Sequence, residues 1–92
     1  MANTKSAIKR VRSNERKRRR NRIVVSRTRT AVTAARSAIS EGDLAVAREA
    51  ARVAVKQLDK AAEKGVIHKN AAARRKSRLM KHLNELAKET AA

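Results

Sequence analysis

Residues 41–65 read EGDLAVAREAARVAVKQLDKAAEKG, and the fold turns on how this stretch is read. It is bracketed by the only two glycines of the chain, Gly42 and Gly65, in a sequence without proline. Glycine takes positive φ without a Cβ clash, so it commonly stands just past a helix end. Between the two stops, Leu44, Ala47, Ala51, Ala54, Leu58 and Ala61 alternate at spacings of three and four. That is the period of one helix face. Asp43 stands where a carboxylate can accept the unpaired N–H groups of a first helical turn. The stretch is therefore one capped helix, and its stops divide the chain into three.

The same period continues on both sides. Upstream, Val25, Thr28, Val32, Ala35 and Ile39 form a stripe, and downstream Leu79, Leu83 and Leu86 extend one that begins at Ala72. Thr4 or Ser6 can cap the first helix. Val66 and Ile67 form a short apolar connector, and His68 or Asn70 begins the third helix, Asn70 being the better cap by type. Met80 is assigned to the core or its edge. Ile23 to Thr33 is rich in β-branched residues and could pass locally for a strand. Helix is favoured, because the stripe runs through it, no turn residue flanks it and no partner strand exists. Short connections make neighbouring helices antiparallel. The expected fold is all-α: an antiparallel three-helix bundle with a long first helix whose basic N-terminal half extends beyond the bundle. A single domain is expected over 1–92, with a basic extension at 1–22, the rest of the first helix at 23–41, and further helices at 43–64 and 68–88. Burial is worth about 25 cal/mol per Å², so a seam rich in alanine gives a thin stabilising margin in a chain this short.

Charge separates the three segments. Lys and Arg total 25 against 8 Asp and Glu, a net charge of +17. Residues 1–40 hold 13 basic side chains and one acidic, residues 41–65 hold 5 of each, and residues 66–92 hold 7 and 2. The middle helix can pair its charges at i,i+3 and i,i+4 spacing and reads as structural. The first segment cannot. From Lys5 to Arg22 its only large apolar residues are Ile8 and Val11, so it has no face to bury. Arg12, Arg16 and Arg20 recur every fourth residue, and each such like-charge pair costs about 0.2–0.5 kcal/mol in an isolated helix. Phosphate oxygens on several sides would offset that cost. This half-helix is thus expected to project from the bundle, to be enclosed by nucleic acid, and to order on binding. Its candidate phosphate contacts are Lys5, Lys9, Arg10, Arg12, Arg16, Lys17, Arg18, Arg19, Arg20 and Arg22, followed by Arg27 and Arg29. A second cluster, Lys69, Arg74, Arg75, Lys76 and Arg78, lies in the first turns of the third helix. Cations are suboptimal for the helix there, whereas the N-terminal N–H groups favour an anion, so their placement points to a ligand. His68 has no partner at metal-ligand spacing and is read as a cap or a phosphate contact, beside Asn70.

Composition excludes other chemistries. There is no cysteine, hence no disulfide, thiolate metal site or cysteine nucleophile. There is no aromatic residue, which excludes platforms that stack bases and leaves charge, shape and Arg or Lys at base edges. No apolar run approaches a bilayer span, the leading segment lacks the apolar core of a secretory signal, and residues 1–22 lack the apolar face of a membrane-surface helix. Ser26, Ser37 and Ser77 have no nucleophile motif, and Glu41, Asp43 and Glu49 read as a helix-end cluster. No catalytic residue, metal, cofactor or small-molecule substrate is expected. A nonspecific nucleoid protein needs only charge. A basic-zipper DNA-binding protein would use Asn14 and Arg22 ahead of Val32 and Ile39, but Gly42–Asp43 stops the helix after about two heptads where about 3–4 are needed.

Two stretches carry a resemblance. MANTKSAIKRVRSNERKRRRNR at 1–22 and LDKAAEKGVIHKNAAARRKSRL at 58–79 closely resemble the bacterial ribosomal protein S20 family, whose order of parts covers nearly the whole chain. The second stretch is the more specific, because composition alone does not dictate GVIHKN after KAAEK. The resemblance implies a three-helix bundle with an extended first helix that binds 16S rRNA near the bottom of the small subunit's body and assists early assembly. It implies contacts from Lys5, Lys9, Arg10, Arg16, Arg18, Arg22, His68, Lys69, Asn70, Arg74, Arg75 and Arg78. It further implies a cytoplasmic location in the ribosome, as a monomer among other small-subunit components.

Overall fold

The computed structural model describes residues 4–91, so residues 1–3 of the expected 1–22 extension, and Ala92, lie outside the described residues. Three helices follow in order: α1 (Lys5–Glu41), α2 (Leu44–Glu63) and α3 (Lys69–Ala91). No strand occurs among the described residues. The β-branched stretch from Ile23 is helical, and two of its hydroxyls turn back on the helix. Thr28 Oγ1 donates to Val24 O at 2.8 Å and Thr30 Oγ1 to Ser26 O at 2.9 Å. That back-bonding leaves the buried Thr28 satisfied.

Each helix end has a chemical cause. Thr4, in extended conformation, caps α1 by accepting the Ala7 N–H at 3.3 Å. Gly42 ends α1 with φ 84°, and its N–H donates to Ile39 O at 3.1 Å. One residue later, Asp43 Oδ1 accepts the Val46 N–H at 3.3 Å, a cap worth about 1 kcal/mol. At the end of α2, Gly65 has φ 74°. The Val66 N–H reaches Ala61 O at 2.9 Å and the Gly65 N–H reaches Ala62 O at 3.0 Å. This paired closure is a Schellman motif, and it fixes Lys64 and Val66 in place.

The start of α3 decides between the two residues that the sequence offers for it. His68, not Asn70, caps it: His68 Nδ1 accepts the Asn70 N–H and His68 O accepts the Ala72 N–H, both at 3.1 Å. The α2 closure uses up the chain only as far as Ile67, so Asn70 already lies in the first helical turn. The far end also differs, since α3 runs to Ala91 rather than 88. No helix breaker follows Lys88, Leu86 anchors the last turns in the core, and Thr90 Oγ1 donates to Leu86 O at 2.9 Å.

The helices pack as an antiparallel bundle in which α2 lies against both partners and α1 meets α3 at few positions. Seven of the twelve buried apolar residues are alanines: Ala35, Ala38, Ala47, Ala51, Ala54, Ala61 and Ala72. They permit close helix approach but bury little area, so the burial energy rests mainly on Val32, Leu58, Leu79, Leu83 and Leu86. Val25, Ile39 and Leu44 are half-buried at the margin, with Ala38 taking the inner place beside Ile39. Met80, assigned to the core or its edge, is 41 % exposed. It stands about 100° round the helix from Leu79, which takes the core position. The residues a zipper would offer a second chain, Val32 and Ile39, are occupied by the chain's own core.

No residue of α1 before Thr28 is buried, so the first half of a helix of 37 residues projects from the bundle. At 1.5 Å per residue α1 is about 55 Å long and α2 about 30 Å. The molecule measures 69 × 21 × 14 Å.

Candidate nucleic-acid interface

Successive residues of a helix are turned by about 100°, so the run from Lys9 to Arg22 cannot put its cations on one side. Lys9, Arg12 and Arg16 follow one line along α1, Arg18 and Arg22 a second, and Arg10 and Lys17 a third. Lys5 falls on the first line, and Arg19 and Arg20 flank it on either side. All ten of these side chains are exposed. The only acid on this half, Glu15, is exposed too. Among the described residues, the ion pairs within 4.0 Å are Arg52–Glu49 at 2.9 Å, Lys76–Asp59 at 2.8 Å and His82–Glu85 at 3.8 Å. None involves α1. The extension therefore carries its positive charge on several sides, and neither Glu15 nor any other carboxylate pairs with it within 4.0 Å among the described residues.

In the second cluster, His68, Lys69, Asn70, Arg74, Arg75 and Arg78 are exposed at the start of α3. With Nδ1 accepting a backbone N–H, the neutral His68 ring carries its proton on Nε2 as a further donor. Lys76 stands apart. It is half-buried, and its Nζ lies 2.8 Å from Asp59 Oδ1, tying α3 to α2. Its charge is answered within the bundle, which leaves less of it for an external anion.

The bundle brings the two clusters to one end. α2 returns along α1, and the α2–α3 turn comes to rest against α1 where the extension departs. Two open crevices mark the place. One is lined by Lys17, Arg20, Asn21 and Val24 of α1 with Lys64 and Val66. Its neighbour is lined by Arg18, Asn21, Arg22, Val25, Ser26, Arg29 and Thr30 with Val66. Arg29 thus joins the extension's cations, whereas Arg27 is exposed on α1 without lining either crevice. Lys64 is a basic residue of the crevice outside the two basic clusters legible in the sequence. It belongs to a stretch with equal numbers of basic and acidic residues, and nothing local distinguishes it from Lys60. The one available signal was its place before Gly65, whose turn swings it toward α1.

Among the described residues no group of three or more His, Cys, Asp or Glu side chains could hold a metal ion. No helix is long and apolar enough to cross a membrane.

Comparison with known proteins points to one family. The chain matches the family described as ribosomal protein S20 over residues 2–84. It is 59 % identical to the small ribosomal subunit protein bS20 of Cutibacterium acnes over 87 residues, covering 95 % of this chain and 99 % of that one. Similarity to the bS20 protein of Bacillus cytotoxicus is 54 % identity over 84 residues, covering 91 % and 99 %. For Beutenbergia cavernae bS20 the figure is 51 % over 86 residues, covering 94 % and 100 %.

Proposed function

The chain belongs to the ribosomal protein S20 family of the small ribosomal subunit, and from that premise we propose that it binds 16S rRNA directly and holds rRNA helices together during assembly. Membership makes it a structural constituent of the ribosome and not an enzyme. The direct contact is supported by one observation above the rest: a projecting helix with cations on several sides, a single acid among them, and no ion pair to answer them among the described residues.

Such a helix suits phosphate on several sides at once. Lys5, Lys9, Arg10, Arg12, Arg16, Lys17, Arg18, Arg19, Arg20 and Arg22 would neutralise the backbones of RNA elements that approach from different directions. Arg27 and Arg29 would continue that surface onto the bundle. His68, Lys69, Asn70, Arg74, Arg75 and Arg78 would meet RNA at the bundle's end, with Lys76 contributing less because Asp59 holds it. Without aromatic side chains to stack bases, specificity would come from fitting folded RNA shape, and phosphate contacts would set register and orientation.

Titration of the full chain against 16S rRNA across a salt series tests this reading. Each neutralised phosphate contributes about 0.7–0.9 to the fall of log affinity with log salt, so a slope of about −5 or steeper is expected. Duplex DNA at equal mass should compete poorly. Equal competition by duplex DNA would reduce the protein to a nonspecific polycation and overturn the assignment of folded rRNA as its partner.

A further inference from the structure

The crevice between α1 and the end of α2 has a composition that the charge-neutral character of α2 does not anticipate. Lys17 and Arg20 come from α1 and Lys64 from the C-cap of α2, with Asn21, Val24 and Val66 forming the rest of the lining. No carboxylate lines it, although Glu63 is next to Lys64 in sequence. None of the three cations has a protein anion within 4.0 Å among the described residues. The backbone beneath Lys64 is firmly held: its N–H donates to Lys60 O at 3.0 Å, and the Gly65 turn closes immediately after it. A helix C-terminus carries partial negative charge, which opposes anion binding. Here the full positive charge of Lys64, at the C-cap itself, exceeds that partial charge.

We infer that this crevice seats a backbone phosphate of an RNA strand passing between α1 and the α2–α3 turn, and that Lys64 is an RNA-binding residue acting with Lys17 and Arg20. The inference deepens the proposed function and rests on it. Three cations from two helices converge where the extension leaves the bundle, so one phosphodiester there fixes the angle between the projecting helix and the bundle. Phosphate contacts of this kind set register rather than sequence preference. Lys is suited to the role because it meets phosphate as a point charge with rotatable donors.

The test compares Lys64→Gln with Lys60→Gln, which removes the same charge one turn earlier on the same helix. Both variants, Lys17→Gln and the Lys17→Gln/Lys64→Gln double variant are titrated as full chains against 16S rRNA. Lys64→Gln is expected to weaken binding about tenfold and to lower the salt slope by less than the roughly 0.7–0.9 of a whole phosphate, because Lys17 and Arg20 still meet the same group. Lys60→Gln should change affinity less than twofold. The double variant should lose less than the product of the single losses, because both side chains serve one phosphate. Lys64→Arg should retain binding, which separates lost charge from a damaged turn. Equal effects of Lys64→Gln and Lys60→Gln, or no effect of Lys64→Gln, would overturn the crevice site while wild-type binding to rRNA stood. Poor discrimination of rRNA from duplex DNA by the wild-type chain would instead overturn the underlying reading.

Discussion

Replacing Arg16, Arg18 and Arg20 with glutamine is expected to weaken rRNA binding by about 3 kcal/mol, roughly a hundredfold, while the bundle melts at the same temperature or higher. The binding loss follows from charge-assisted hydrogen bonds, each worth about 1.5–3 kcal/mol at the charged group, reduced here because exposed contacts are partly screened by salt. The slope of log affinity against log salt should fall by about 2. The fold should not suffer, because all three side chains are exposed on the part of α1 that precedes its first buried residue, Thr28. Glutamine is nearly as good a helix former as arginine, and the substitution removes the repulsion of Arg12–Arg16 and Arg16–Arg20, about 0.2–0.5 kcal/mol per pair. Parallel RNA titration and thermal melting check both halves. A lowered melting temperature with unchanged RNA affinity would mean that these arginines brace the bundle.

Leu58→Ala should have the opposite profile, with a large loss of stability and little direct effect on charge. Leu58 is fully buried and, with Thr28, is the largest side chain so enclosed. Its neighbours along the α2 seam, Ala51, Ala54 and Ala61, have no side-chain freedom with which to fill a void. Leu to Ala in a core costs about 2–5 kcal/mol, more where the surroundings cannot collapse, so about 3 kcal/mol or above is expected. Native domains hold only about 0.05–0.15 kcal/mol per residue, which makes this a large fraction of the whole. Melting should fall by about 15 °C or more, or the cooperative transition should vanish. A cost below about 1 kcal/mol, read from denaturant or thermal unfolding, would show that the alanine seam does not depend on this side chain.

The fold was legible because local signals and long-range pattern agreed. Gly42 and Gly65 both adopt the positive φ that their positions suggested. Ala47, Ala51, Ala54, Leu58 and Ala61 are all buried, as are Ala72, Leu79, Leu83 and Leu86. The structure adds to the local reading where the answer depends on how one helix is rotated or slid against another. Met80 is exposed because Leu79 won the inward direction, which a stripe of neighbouring apolar residues does not decide. Lys76 belongs to the basic cluster by sequence, yet it pairs with Asp59, 17 residues away, through the register of α3 on α2. His68 displaced Asn70 as the cap because the closure at Gly65, rather than residue preference, set where α3 begins.

The candidate interface divides in the same way. That Lys5 to Arg22 would be exposed follows from composition, since a segment without an apolar face has nothing to bury. That the second basic cluster shares an end with the departing α1, and that Lys64 enters a crevice there, follows from helix order and the direction of one turn. Such juxtapositions have no local signature. They emerge only when α2 is laid back along α1.

Backbone amide exchange across α1 measures directly whether the leading half-helix depends on an external polyanion. Residues 9–22 have no buried side chain and no ion pair among the described residues, so little beyond the helix's own hydrogen bonds should resist local opening. In the free chain at low salt, their amides should exchange far faster than those of residues 28–40. Added salt should slow them moderately by screening the arginines, and bound 16S rRNA should protect them strongly. Firm protection in the free chain at low salt, unchanged by salt or by RNA, would contradict the claim that phosphate holds this helix.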